Sequence, residues 1–219
     1  MRAVDQGILD VRASLASNVT HRRAVLDLAL DVVAGALLTG RRMLPDVGDL
    51  PAWAQAPAAS FVSLHRQGRL LGCMGALEAR QPLGRDVAEH ALNAAFDDPR
   101  MPPIDGDDFD LMEVEVSVLG PLQPLPVSRD GREGVTSWHE LARTLRAGVD
   151  GLVVCSGDRR ATFLPAVWRS VSGADDFLDL LWRKAGLRVR TWPPDLALWT
   201  YQVTECEDPG PRDLGAWAR

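Results

Sequence analysis

The sequence predicts an α+β fold in which hairpin-joined strands are set among amphipathic helices. Three observations carry this. Ser60 to Glu78 (SFVSLHRQGRLLGCMGALE) reads as a β-hairpin, with Phe61, Val62, Leu64, Leu70 and Leu71 as its apolar content and Gln67-Gly68 as its turn. Leu111 to Leu119 alternates: Met112, Val114, Val116 and Val118 point one way, and Glu113, Glu115 and Ser117 the other. Thr20–Leu38 and Pro82–Phe96 carry apolar residues at helical spacing.

Taken in order, residues 1–18 read as a loosely specified extension, although Ile8, Leu9 and Val11 are able to dock. Thr20 is the expected N-cap of the first helix, with Val25, Leu28, Ala29, Val32 and Ala36 near one face and Gly40 at its C′ position. Met43–Ser60 holds Pro45, Pro51 and Pro57 and reads as an irregular crossing anchored by Trp53. In the helix that Pro82 opens, Leu83, Val87, Ala91, Ala94 and Ala95 form the stripe, Arg85, Asp86 and Glu89 face water, and Asp97-Asp98-Pro99 ends it. Arg100–Asp110 reads as a solvated loop; its four aspartates, Asp105, Asp107, Asp108 and Asp110, lack the spacing of a calcium loop.

Beyond Pro126 a polar loop, Ser128–Val135, leads to a capping box, Ser137 with Glu140, that starts a helix over Trp138–Ala147. Gly151–Cys155 and Arg160–Leu164 form a second hairpin, and a helix runs from Ser172 or Gly173 to Ala185 before Gly186. Leu196–Glu205 is expected as one final strand with Ala197, Trp199, Tyr201 and Val203 on one side. The Pro/Gly/polar stretch from Glu207 onward is expected to fray.

At 219 residues the chain suits one domain with subdomains, or two small ones. A net charge of −6 and a pI near 5.2 argue against a general nucleic-acid binder, because phosphate binding needs a basic surface. GxGxxG and GxxxxGK[ST] are both absent, so no phosphate cradle is expected. Three cysteines at wide spacing, Cys73, Cys155 and Cys206, suggest neither a disulfide framework nor a cysteine zinc site, and no metal site is expected. No signal-peptide run and no membrane-length apolar stretch is present, so a soluble, cytoplasmic protein is expected.

Chemistry concentrates on Gly72-Cys73-Met74-Gly75. Glycines beside a thiol let another backbone or a ligand come close, and bare N–H groups there would form a small anion nest. The competing reading is a small buried apolar cysteine between sheet and helix. A reactive thiol needs a base: His65 is nearest in sequence but several residues short of Cys73 across the hairpin, and His90 lies one helix later, as a solvated edge residue. Glu113 and Glu115, two residues apart on one strand face, sit ~7 Å apart, within the range of an acid/base pair, or meet solvent on an open sheet face. Cys155 and Cys206 read as structural. Trp138, Trp168, Trp182 and Trp199 read as core, and Trp53, Trp192 and Trp217 as interface candidates.

These segments together resemble the AMMECR-type domain, called in prokaryotes the AmmeMemoRadiSam system protein A family. Its Leu-Arg-Gly-Cys-Ile-Gly hallmark appears as Leu70-Leu71-Gly72-Cys73-Met74-Gly75, with Leu71 in place of the arginine. RQPLGRDVAEHALNAAFDDPRMPP, LMEVEVSVL, RRATFLPAVW and RKAGL are similar to the family's helix and proline loop, strand, hairpin arm and helix end. The resemblance covers about residues 20–206. It implies an antiparallel-rich sheet flanked by helices, with a smaller β-containing subdomain, over residues 19–206, between the extension 1–18 and the tail 207–219. It further implies that Glu115 and Thr162 converge with Cys73, and it adds Gly72, Met74, Gly75, Glu113 and Ser117 to the candidate pocket. In function it implies a binding or scaffold component acting with Memo-like and radical SAM partners; the alternative is an enzyme or group carrier with Cys73 as its thiol.

Overall fold

Along the chain of this computed structural model the helices are α1 (Arg2–Ser17), α2 (Val19–Thr39), α3 (Leu83–Phe96), α4 (Gly106–Leu111), α5 (Trp138–Thr144) and α6 (Ala174–Lys184). The strands are β1 (Ser60–Arg66), β2 (Arg69–Gly75), β3 (Glu113–Leu119), β4 (Gln123–Leu125), β5 (Gly151–Ser156), β6 (Arg159–Phe163), β7 (Ala197–Tyr201) and β8 (Val203–Asp208). The structure describes residues 2–128 and 134–218, so most of the expected loop Ser128–Val135 lies outside the described residues. The chain divides into two units, Met1–Gly120 with Thr204–Arg219, and Pro121–Val203.

The first unit holds a sheet of order β2-β1-β3-β8. Its hairpin turns at Gln67-Gly68, both with left-handed backbone (φ 52° and 75°), the geometry a two-residue hairpin turn needs. Val62 and Leu64 of β1 and Val114, Val116 and Val118 of β3 form one apolar sheet face. That face shares a core with α2 and α3, the α3 stripe Leu83, Val87, Ala91, Ala94 and Ala95 being buried as expected. The helix cap differs from expectation. Asn18, not Thr20, caps α2, its side-chain oxygen accepting the Thr20 and His21 N–H groups. Asn18→Ala should therefore cost about 1 kcal/mol, measured by urea unfolding.

The structure departs from expectation elsewhere in this unit as well. The expected extension contains α1, whose Ile8, Val11 and Leu15 are buried at i, i+3 and i+7. Asp86 does not face water. It is buried where α3 crosses the start of β1, and one carboxylate oxygen accepts the Ser60 N–H and hydroxyl and contacts His90 Nδ1 at 3.1 Å. His90 is buried with it rather than solvated. The acidic loop becomes α4: Asp105 caps it through the Asp108 N–H, and its first-turn acids suit the helix N-terminus. The tail is tied down, with Leu214 N–H donating to Asp110 and Trp217 packing edge-on against Phe109.

The second unit holds a sheet of order β4-β7-β5-β6. Its core gathers Leu152 and Val154 of β5, Leu141 of α5 and Phe177, Leu178, Leu181 and Trp182 of α6. Helix α5 stops at Thr144, and Glu140 reaches back to Thr136 rather than to Ser137. The single strand expected over Leu196–Glu205 is two strands in two sheets, β7 and β8, parted at Gln202. Within β7 it is Leu198 that joins the core, so Trp199 lies on the opposite side from the one expected. Among the described residues, no helix is long and apolar enough to cross a membrane.

Candidate functional site

One irregularity decides where the Cys73 thiol points. Counting outward from the two-residue turn pairs Arg66 with Arg69 and His65 with Leu70, and would next place Cys73 opposite Val62 on the core face. A bulge between Leu64 and His65 shifts the register by one residue. Cys73 therefore faces Ser63, and because strand side chains alternate, a shift of one carries the thiol to the polar face. Leu71 is left in the core, 5% exposed.

Ser63 also faces Glu115 on β3, so Cys73, Ser63 and Glu115 stand in a row across three strands. The Ser63 hydroxyl donates to Cys73 Sγ at 3.2 Å. His65 sits opposite Glu113, one step further along the same face, and makes no hydrogen bond to Cys73. Ser117 lies on this face too and donates to Glu115 Oε1 at 3.2 Å. Burial pushes the Glu115 carboxyl above its ordinary range, the neighbouring Glu205 adds to this, and the Ser117 hydrogen bond opposes it. A carboxyl so placed keeps a proton longer than an exposed glutamate and suits an acid role.

Strand β2 is an edge of its sheet, and both main-chain groups of Cys73 are clamped from outside by two residues just beyond α3. Asp98 Oδ2 accepts the Cys73 N–H at 2.9 Å, and Arg100 Nη2 donates to the Cys73 carbonyl at 3.0 Å. Arg100 grips Asp98 through its own N–H, Nε and Nη2. The Asp98 carboxyl is held well below the usual range, first by the Arg100 side chain and against its own burial, with the Cys73 N–H helping. Arg100 is correspondingly held more firmly charged, by Asp98 first and with a lesser contribution from the Cys73 sulfur.

The candidate residues thus separate. Cys73, Glu115, His65, Glu113, Ser117 and Gly75 share one face. Gly72 and Met74 turn to the other: a Cβ on Gly72 would lie 1.9 Å from the Ala94 carbonyl oxygen, and Met74 packs on the core. Gly75 fits the Phe61 ring, which a Cβ there would meet at 2.3 Å. The two glycines therefore admit a helix backbone and an aromatic ring. No anion nest forms at Cys73, whose N–H already serves Asp98. Thr162 belongs to the second unit, where its hydroxyl bonds the Leu152 carbonyl and the Tyr201 hydroxyl.

Sequence reasoning missed Ser63, Asp98 and Arg100. The signal for the last two was a carboxylate and a guanidinium two residues apart, directly after a helix that packs on the cysteine strand. Cys73 itself is half-buried and not part of the core, unlike Cys206. Burial pushes the Cys206 thiol up to about 11 and raises that of Cys155 as well, with Arg160 partly offsetting the latter. Among the described residues no group of three or more His, Cys, Asp or Glu is placed to hold a metal ion.

Fold and site together define an α+β protein of two sheet-containing units, with a polar-faced cysteine on an edge strand of the first. Residues 26–206 match the AMMECR1 family model, and the chain belongs to that family. A Methanothermobacter thermautotrophicus protein is 40% identical over 153 residues, covering 69% of this chain and 72% of its own. A Methanosarcina acetivorans protein is 30% identical over 186 residues, covering 84% and 89%. The crystal structure of an uncharacterized protein from Pyrococcus horikoshii has a TM-score of 0.74 at 29% identity, over 86% of this chain and 92% of that one.

Proposed function

We propose that this domain works through Cys73 as a nucleophilic or group-carrying thiol. The observation that carries the reading is the Arg100 guanidinium, fixed at Cys73 by a buried carboxylate. A guanidinium so fixed is placed to pair with an anionic group carried or bound beside Cys73. Position 71, where the hallmark has its arginine, is a core leucine here, and Arg100 brings a guanidinium to the cysteine by another route. In this reading Ser63 orients the sulfur and Glu115 supplies or takes a proton at the far end of the row. His65 is left in a supporting place beside Glu113 and Glu115.

Docking to Memo-like and radical SAM partners is the reading that the family resemblance favours on its own. Its residue-level support was the three loop tryptophans, and all three are packed within their own units. Trp53 stacks on His21 at 4.6 Å, Trp192 packs on the second core, and Trp217 donates to Asp31. The thiol reading is therefore the one the geometry favours.

Iodoacetamide labelling of the native protein, read by mass spectrometry of the three cysteine peptides, tests it. Cys73 should alkylate at least about tenfold faster than Cys155 at neutral pH, with Cys206 slowest, and Arg100→Gln should remove most of that lead. Cys73 labelling no faster than Cys155 in the folded wild type would defeat the proposal.

A further inference from the structure

The C-terminal segment of the first unit is seated in the manner of a bound peptide. It lies beyond residue 206, where the family match ends, and past β8 it adds no strand to a sheet among the described residues. Its seated side chains are Arg212, Leu214 and Trp217, at i, i+2 and i+5. Pro209, Pro211, Asp213, Gly215, Ala216 and Ala218, around and between them, are exposed.

Each anchor meets a group on α4, β8 or α2. The Arg212 side chain is 6% exposed, and its guanidinium donates to the Phe109 and Met112 carbonyls at the end of α4 and to the Asp208 carboxylate at the end of β8. The Phe109 ring lies 5.8 Å from the same guanidinium. Asp208 is also paired with Arg23 of α2, so its place does not depend on the tail. A carboxylate, two carbonyls and a ring converging on one point are the set that suits a planar cation.

The apolar anchors follow. Leu214 packs on the core against Gly106, whose added Cβ would meet it at 3.4 Å. Trp217 lies edge-on to Phe109 at 5.4 Å and donates to Asp31 of α2. Asp110 of α4 holds the main chain between the anchors, its carbonyl accepting the Arg212 N–H and its carboxylate the Leu214 N–H. The receptor groups are thus acidic and aromatic, and they select a cation followed by apolar anchors, the pattern of a short linear segment. Held by its anchors and by Asp110, and joined to β8 through Pro209-Gly210-Pro211, the segment is able to open without unpairing the sheet.

We propose that this face of α4, with Asp208 and Asp31, is a binding site for a polypeptide segment of the form Arg-x-Leu-x-x-Trp. The C-terminal tail is its resident occupant, displaced when a partner presents the same anchors. The inference is independent of the chemistry at Cys73.

The test titrates a fluorescein-labelled peptide of residues 209–219 with the intact protein and with the full-length double variant R212Q/W217A. The variant should bind the peptide at least about tenfold more tightly than wild type, whose own tail competes at an effective concentration on the order of millimolar. A peptide carrying the same two changes should bind neither protein. In wild type alone, hydrogen exchange should find the Arg212 and Leu214 amides at least about a hundredfold faster than the amides of β3, and this result decides the matter should the variant not fold. The proposal falls if the folded variant binds no peptide, if both proteins bind it equally, or if the altered peptide binds as well. It falls equally if the tail amides are as protected as those of β3. A wild-type dimer that the variant dissolves would also overturn it, since the occupant would then be the tail of a second copy.

Discussion

Gly72→Ala should destabilise the protein by about 3 kcal/mol or more, or prevent folding, while Gly35→Ala should stabilise it by about 0.5–1 kcal/mol. The two substitutions add the same methyl group. At Gly72 the new Cβ would sit 1.9 Å from the Ala94 carbonyl oxygen and 2.9 Å from its carbonyl carbon. Those are main-chain atoms of α3, and neither can rotate aside. Relief requires α3 to lift off the sheet, and α3 is held there by the buried Leu83, Val87 and Ala91 and by the Asp86 bonds to Ser60. Gly35 lies within α2 with no atom inside 4 Å of its added Cβ, so alanine there only removes conformational freedom from the unfolded chain. Urea midpoints of the two variants against wild type decide the matter; a Gly72→Ala protein within about 1 kcal/mol of wild type would show that the strand–helix approach is not rigid.

The same approach explains why the fold was legible and the site was not. β3 could be read from its alternation because Val114, Val116 and Val118 meet a single apolar core, and burial on one face is what writes a period of two into a strand. The α3 stripe was readable for the matching reason. Cys73 was not readable in the same way, since its face depends on one bulged residue, and nothing in Leu70-Leu71-Gly72-Cys73 announces a bulge. A simple count from Gln67-Gly68 sends the thiol into the core, whereas the actual register sets it beside Ser63.

Polar partners brought from a distance were equally hidden. Asp86 occupies a helix position that usually faces water, and its burial follows from the unpaired N–H of Ser60, which only the packing of α3 on β1 brings near. The split of the last strand at Gln202 is of the same kind. Alternation continues through Ala197, Trp199, Tyr201 and Val203, but the pattern carries no record of which sheet each half joins. In the family hallmark, position 71 drew attention as the missing cation. The guanidinium that meets Cys73 comes instead from Arg100, which was read only as the first residue of a solvated loop.

Asp97 and Asp98 offer a second paired experiment, on neighbouring carboxylates of identical chemistry. Asp97 pairs with Arg42, and both side chains are nearly half exposed (45% and 48%), so Asp97→Asn should change stability by less than about 0.5 kcal/mol. The Asp98 side chain is 1% exposed and accepts from four donors: the N–H groups of Cys73 and Arg100 and two guanidinium nitrogens of Arg100. An asparagine there would turn an amide NH2 toward some of those donors and leave them unsatisfied, at an expected cost of about 3 kcal/mol. The pH dependence follows from the depressed folded-state pKa of Asp98. A carboxylate bound more tightly as the anion in the folded state contributes fully above its unfolded value of about 4, and loses that contribution as the pH falls through its lower folded value. The gap between wild type and Asp98→Asn should therefore stay constant from pH 8 to about 5 and close only in stronger acid. Because Asp98 also holds Arg100 against Cys73, the same variant should slow Cys73 alkylation while Asp97→Asn leaves it unchanged. Equal stability losses for the two asparagines, or unaltered Cys73 labelling in Asp98→Asn, would separate the clamp from the thiol and remove the basis for assigning it a chemical role.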